Sequence, residues 1–368
     1  MTKYIIRRLL QAIPVIFLIS IVCFVLMLMA PGGPQAQFNQ NRFIKPEQVD
    51  LWLQHWCLVR NPSPPDMIKE YAGWLGVWNC QTQSFLSANG GPNFLPSFLG
   101  GGVNGMLHGD WGISIYLNQP VLDIILGRLP VTLLLMVTAW IIWLTLALIL
   151  GVVAAIRRYS LFDQAATLFS YTFYSLPTFW LGLMLIEVFA VSLHWFPSQL
   201  IQSPRISPGP FASAVWWQAF WTDPGLYGWD VAMHLVLPVT TLVAVSVAGD
   251  SRFVRSAMLE SLNQDYVRTA RAKGLSERRV IFRHAFRNAL LPIITNGALE
   301  VAFLFSGAIV TETIFSLQGM GYLYIQGLQA HDYFLLMGIV FIGAILVVVF
   351  NLVADVLYAV ADPRIRYD

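Results

Sequence analysis

Charge is scarce in this chain. Only 11% of its 368 residues are Asp, Glu, Lys or Arg, where a soluble domain carries about 25%. That shortage excludes an ordinary water-solvated surface. Neither a basic nor an acidic run occurs, and the net charge is only +2, so no nucleic-acid partner is expected. Cysteine is scarcer still: Cys23, Cys57 and Cys80, with no C-x-x-C pair, which argues against a structural zinc site. The six histidines are scattered and build no metal-ligand spacing. No G-x-x-x-x-G-K-S/T phosphate loop, H-E-x-x-H pair or nucleophile elbow is present, so no catalytic residue and no bound cofactor are expected. Internal repeats and low-complexity tracts are also missing.

What is abundant is apolar surface. Hydrophobic residues make up 57% of the chain, and its mean hydropathy is +0.62. A helix needs about 20 mostly apolar residues to cross a hydrocarbon core of about 30 Å. Six stretches qualify: 4–30, 129–156, 165–193, 231–249, 289–310 and 333–358. The first resembles a signal peptide, because Lys3, Arg7 and Arg8 precede its apolar run. The run is longer than a usual signal core and no small-x-small cleavage site stands before Pro31, so it reads as a retained helix. The expected fold is an all-α integral membrane protein with six transmembrane helices.

Basic residues set the orientation. With the N-terminus inside, the inner segments hold Lys3, Arg7, Arg8, Arg157, Arg158, nine residues between Arg252 and Arg287, and Arg364 and Arg366. That leaves six of the 22 for much longer outer segments. Both termini are therefore expected in the cytoplasm. The domains divide as 1–30 (first helix), 31–128 (a long extracytoplasmic loop subdomain) and 129–368 (a five-helix core whose inner loop spans 250–288). Cys57 and Cys80 both fall in the oxidising outer segment, where a disulfide or two buried thiols are the alternatives. Glu312 and Asp332 fall at the outer rim, a place for an extracytoplasmic partner to dock or for plain solvent exposure.

The loop 250–288 is patterned. Asn263 or Asp265 is placed to cap a short helix starting near Tyr266. Gly274 suits the left-handed residue that ends it, with Leu275 as apolar follower. Arg271 and Lys273 complement the dipole of its last turn. Ser276 then caps a second helix leading into the fifth span. The result is a helix–glycine–helix elbow with a small-residue tip and a basic flank. Read from residues alone, it is either a docking knob or a loop that merely obeys the inside-positive rule.

Residues 266–292, Y-V-R-T-A-R-A-K-G-x10-H-A-F-R-N-A-L-L-P, resemble the signature loop of ATP-binding-cassette importer permeases, and in particular the dipeptide, oligopeptide and nickel permease family. P-G-G-P at 31–34, G-D-W-G-I-S-I at 109–115, H-L-V-L-P at 234–238, T-E-T-I-F-S-L-Q-G-M-G at 311–321 and D-P-R-I-R at 362–366 agree with it. The acid that leads the broad signature is absent, and Leu317–Gln318 stand where the family more often has an aromatic and a proline. The resemblance implies a type I importer permease fold. It implies that Tyr266, Arg268, Thr269, Ala270, Arg271, Lys273, Gly274 and Glu277 couple the chain to an ATPase. The implied partners are a second permease, two ATPase subunits that bind ATP and Mg, an extracytoplasmic solute-binding protein and membrane lipid. The implied cargo is di- or oligopeptide, with nickel or another small solute as the alternative.

Charge inside a span costs at least about 2.5 kcal/mol on insertion scales, so Glu187 and Glu300 must face protein or water. They are candidates to line the passage, against a helix–helix contact. Pro177, beside Ser175 and Thr178, is placed to kink the third span. A different class, an ion-gradient-driven secondary transporter, would show inverted repeats and paired broken helices and has no use for the elbow. A membrane-embedded hydrolase would need a convergent catalytic set.

Overall fold

The computed structural model describes residues 2–29, 64–75 and 106–361. In chain order the helices are α1 (Thr2–Met29), α2 (Pro64–Leu75), α3 (Val121–Ile156), α4 (Leu161–Ser175), α5 (Thr178–Leu185), α6 (Ala214–Thr222), α7 (Pro224–Leu262), α8 (Asp265–Ala272), α9 (Glu277–Arg279), α10 (Arg287–Ile314), α11 (Met320–Gln329) and α12 (Tyr333–Ala361). Two π-helical turns, Ile186–Ser192 and Val280–Phe286, continue α5 and α9. The described β-structure is a two-residue antiparallel hairpin, β1 (Ile113–Ser114) with β2 (Gln119–Pro120).

Among the described residues, Ile6–Met29, Val121–Ile156, Pro224–Leu262 and Tyr333–Leu352 are long and apolar enough to cross a membrane. Leu161–Tyr174 and Thr178–Ser192 add a fifth span if the pair counts as one, and it is bent by 100°. The bend falls where the sequence places it. Leu176 is extended, and Pro177, which cannot donate a hydrogen bond, caps α5. The predicted span 289–310 lies within α10, whose side chains at 298–306, Glu300 included, lie outside the described residues. Cys57, Cys80 and the side chain of Asp355 also lie outside them.

Two compact units emerge from the chain. One comprises 1–11, 129–322 and 346–368. Its largest core gathers Leu135, Trp143, Leu235, Leu242, Ala308, Phe315 and Leu317 from α3, α7 and α10 and the turn after α10. α7 has 39 residues, about 58 Å at 1.5 Å per residue. It runs well past the predicted end at 249. Asp250 is buried within it, accepting from Trp143 Nε1 and from Asn296 Nδ2. Gly151 of α3 lets the two helices touch: a Cβ there would stand 2.6 Å from Val254 Cβ and 2.7 Å from the Ser251 carbonyl oxygen. Gly151→Ala is therefore expected to lower the stability of the folded chain by about 1–3 kcal/mol through overpacking. Thermal unfolding in detergent checks it, and an unchanged midpoint would contradict this close approach.

The second unit comprises 12–128 and 323–345. In it α2 packs on α1 through Tyr71 and Trp74 against Phe24, and Ser20 shares a 2.6 Å hydrogen bond with the Tyr71 hydroxyl. Asp332 accepts from Ser114 Oγ at 2.6 Å and from the N–H of Leu335 in the first turn of α12. Asp332 is thus a buried strut for the β1–β2 turn, not the solvent-exposed acid that the sequence allowed. The same correction applies to Glu312 of the first unit. It is fully buried and accepts from Thr132 Oγ1 and from the N–H groups of Gly321 and Tyr322, where α11 begins. Orphan N–H groups at helix starts attract carboxylates, and that drew both acids inward.

Candidate functional site

The elbow predicted in 250–288 is present, and it rests on the far end of α7. α7 closes at Leu262, with Asn263 as its C-terminal cap. Gln264 follows as the extended residue before α8, and its carbonyl accepts from the N–H groups of Val267 and Arg268. The cap residue is therefore Gln264, and its side chain makes no cap bond. Asn263 is spent on ending α7, while Asp265 is already helical and faces Arg268 at 3.5 Å.

α8 is two-faced. Val267 and Ala270 are buried in a cluster with Val152 and Ala155 of α3, Val254 and Met258 of α7, and Val280, Ile281 and Ala285 of the second π turn. Arg268, Thr269, Arg271 and Lys273 are exposed. Ala270, a predicted coupling residue, thus seats the helix and does not present itself outward. Tyr266 is partly exposed but tethered. Ser261 Oγ donates to the Ala285 carbonyl at 2.7 Å and shares a 2.7 Å hydrogen bond with the Tyr266 hydroxyl. This clasp ties the end of α7, the start of α8 and the π turn together. Ser261 had no distinguishing signal in the sequence, since its partners lie five and 24 residues away.

Gly274 ends α8 at φ +73°, the left-handed region where a side chain is strained. Its N–H reaches the Arg271 carbonyl at 2.9 Å, and that of Leu275 reaches the Ala270 carbonyl at 3.4 Å. Leu275 folds back onto the buried cluster, as expected for the apolar residue after such a cap. No atom lies within 4 Å of the place where a Cβ on Gly274 would sit. Ser276 occupies the cap position of α9, though with its carbonyl and not its side chain. Across the glycine, Arg271 grips Glu277 with two hydrogen bonds of 3.2 and 2.7 Å. The guanidinium holds the Glu277 carboxyl below the usual carboxylate range, and the carboxylate raises Arg271 in turn. Both side chains are about half exposed, so the pair shapes the tip more than it stabilises it.

Two further ties join α7 to α4. Arg255 donates to both carboxylate oxygens of the buried Asp163, at 2.6 and 2.8 Å. Arg252 lies over the rings of Tyr171 and Tyr174, each at 4.8 Å. In sequence both arginines look like loop charges; on α7 they are three residues apart and address one neighbour.

Glu187 sits in the π turn after α5, exposed and without a partner among the described residues. The apolar residues around it at helical spacing, Leu183, Met184, Val188 and Val191, are exposed as well. Among the described residues there is thus an unpaired carboxylate on an exposed apolar face, and a knob whose outward side carries the donors Arg268, Thr269, Arg271 and Lys273.

Residues 147–367 match the family described as the binding-protein-dependent transport system inner membrane component. The oligopeptide transport system permease protein AppB of Bacillus subtilis (strain 168) is 36% identical over 368 residues, covering 100% of both chains. The dipeptide transport system permease protein DppB of Escherichia coli (strain K12) is 36% identical over 375 aligned residues, covering 100% of this chain and 99% of its own. The di/tripeptide transport system permease protein DppB of Pseudomonas aeruginosa (strain UCBPP-PA14) is 35% identical with the same coverage. With several apolar helices and a glycine-ended basic knob beside them, this chain belongs to the binding-protein-dependent transport system inner membrane component family.

Proposed function

We propose that this chain is one of two permease subunits of an ATP-driven peptide importer and forms half of the passage for di- and oligopeptides. It crosses the cytoplasmic membrane six times with both termini in the cytoplasm. Residues 31–128 form an extracytoplasmic elaboration, and 129–368 form the permease core. The helices within 266–283 couple the chain to separate ATPase subunits by docking into a cleft of one of them, and those subunits bind ATP and Mg and do the hydrolysis. An extracytoplasmic binding protein delivers the peptide. The observation that carries this reading is the elbow itself: an exposed tip, ended by Gly274, seated on a buried cluster at the end of α7. The peptides for which these relatives are named support the choice of cargo.

The test is reconstitution in liposomes with the second permease, the ATPases and the binding protein. Labelled dipeptide should accumulate only with ATP inside the ATPase compartment. Accumulation driven by an ion gradient with the ATPases left out would overturn the reading in favour of a secondary transporter.

On the same reading Glu187 lines the passage, because an unpaired charge on a spanning segment must meet water or a partner charge. Glu187→Gln is expected to slow peptide uptake about tenfold, the equivalent of a lost charge-assisted contact of roughly 1.5 kcal/mol. The ATPase should remain stimulated by loaded binding protein. Uptake at the wild-type rate would remove Glu187 from the passage.

A further inference from the structure

α6 is a nine-residue helix, A-V-W-W-Q-A-F-W-T. No charged residue occurs between Arg205 and Asp223. Its inner side is settled. Trp216 is 4% exposed and packs on Phe211 and Phe220 with ring centroids 4.8 and 5.1 Å apart. Its outer side is just as apolar. Trp217 and Trp221 stack on each other at 6.5 Å and are 44% and 72% exposed, with Ala214, Val215 and Gln218 around them. A helix that is hydrophobic all round is covered all round.

The cover has to be apolar and always present. At about 14 Å, α6 is too short to cross a hydrocarbon core of about 30 Å. Immediately after it, Asp223 accepts from the Leu226 N–H and starts α7, a helix long and apolar enough to span. Phe220 closes the corner over Gly228. Leu226 and Trp229, in the first turns of α7, are exposed too. The corner therefore lies where α7 enters the bilayer, at the depth that indole rings favour because they are apolar with one N–H donor. A soluble protein docking here would find no charge on α6 itself to pair with, and each departure would return the rings to water.

We propose that α6 lies flat in the headgroup–acyl boundary of the leaflet where α7 begins, with Trp217 and Trp221 inserted among the lipid chains. It pins the first turns of α7 while the opposite end, carrying the elbow, is free to move. The claim rests on membrane insertion alone and not on the nature of the cargo.

The experiment places the assembled transporter in nanodiscs containing a phospholipid with a diazirine near the glycerol end of one acyl chain. After irradiation, peptides are mapped by mass spectrometry. Lipid adducts are expected on Trp217 and Trp221, as abundant as those on Trp229. Adding saturating binding protein should leave them unchanged. Trp217→Gln/Trp221→Gln should reduce adducts on 214–222 at least fivefold while those on the span within α3 persist. A wild-type 214–222 peptide free of adducts, or one that loses them when the binding protein is added, would overturn the proposal; the second result would make this face a protein-docking surface.

Discussion

Gly274→Val is expected to abolish ATP-driven uptake and substrate-stimulated ATP hydrolysis while leaving the chain inserted and assembled with the second permease. Two causes act together. Valine is β-branched, and holding it at the φ of +73° seen for Gly274 costs on the order of 1–3 kcal/mol, so the tip changes shape. Its side chain also fills space that is open around the glycine, the space a docking cleft would occupy. Interface positions that must be closely approached lose binding steeply, and a loss of about 3 kcal/mol at the joint is a factor of roughly 100 in affinity. The check is paired: ATPase activity with and without loaded binding protein, and co-purification of the ATPase subunits. Gly274→Ala should fall between the two, because it carries the strain with little of the bulk. Wild-type coupling in the valine variant would falsify the docking role of the tip.

Arg255→Ala should be the most destabilising single change among the charged residues described, at about 3 kcal/mol. Asp163 is 3% exposed, and it loses both guanidinium bonds. Only the Tyr159 N–H remains on its carboxylate, at 2.9 Å. Ser160 accepts from the Asp163 N–H in return, so Asp163 also belongs to the reciprocal cap that starts α4. The double variant Asp163→Asn/Arg255→Ala should be less destabilised than Arg255→Ala alone, because no unpaired buried charge is left. Thermal unfolding of the four proteins gives the coupling. Additive losses would mean that the two side chains do not act as a pair.

How much of this was legible beforehand depends on how far apart the partners are. The end of α8 was readable because glycine is the residue that takes the left-handed cap without penalty, and Leu275 supplies the apolar return. The broken third span was readable because Pro177 removes a donor at a fixed place. The length of α7 was hidden. Asp250, Arg252 and Arg255 look like loop charges, and what makes them helical neighbours of the core is Trp143, Tyr171 and Asp163, 80 or more residues away. The burial of Glu312 and Asp332 was hidden for a related reason, since nothing local announces which helix start will offer its N–H groups. The π turns had no signature at all: a shift from i→i+4 to i→i+5 bonding is decided by packing. Of the candidate site, the outward residues of α8 and the glycine were named from sequence, while Ser261 and the burial of Ala270 came only from the fold.

The unbroken run of α7 into the base of the elbow sets an arithmetic condition on evolution. Each residue of an α-helix advances 1.5 Å and turns about 100°. One residue gained or lost between Arg252 and Leu262 would therefore swing the knob a quarter-turn or more away from its target, even if every side chain in the knob were kept. A substitution along this stretch acts where it sits, as Arg255→Ala would on Asp163, but its residue count is a phase setting. Members of the family that share the same ATPase geometry should keep that count fixed while their outer loops vary freely in length.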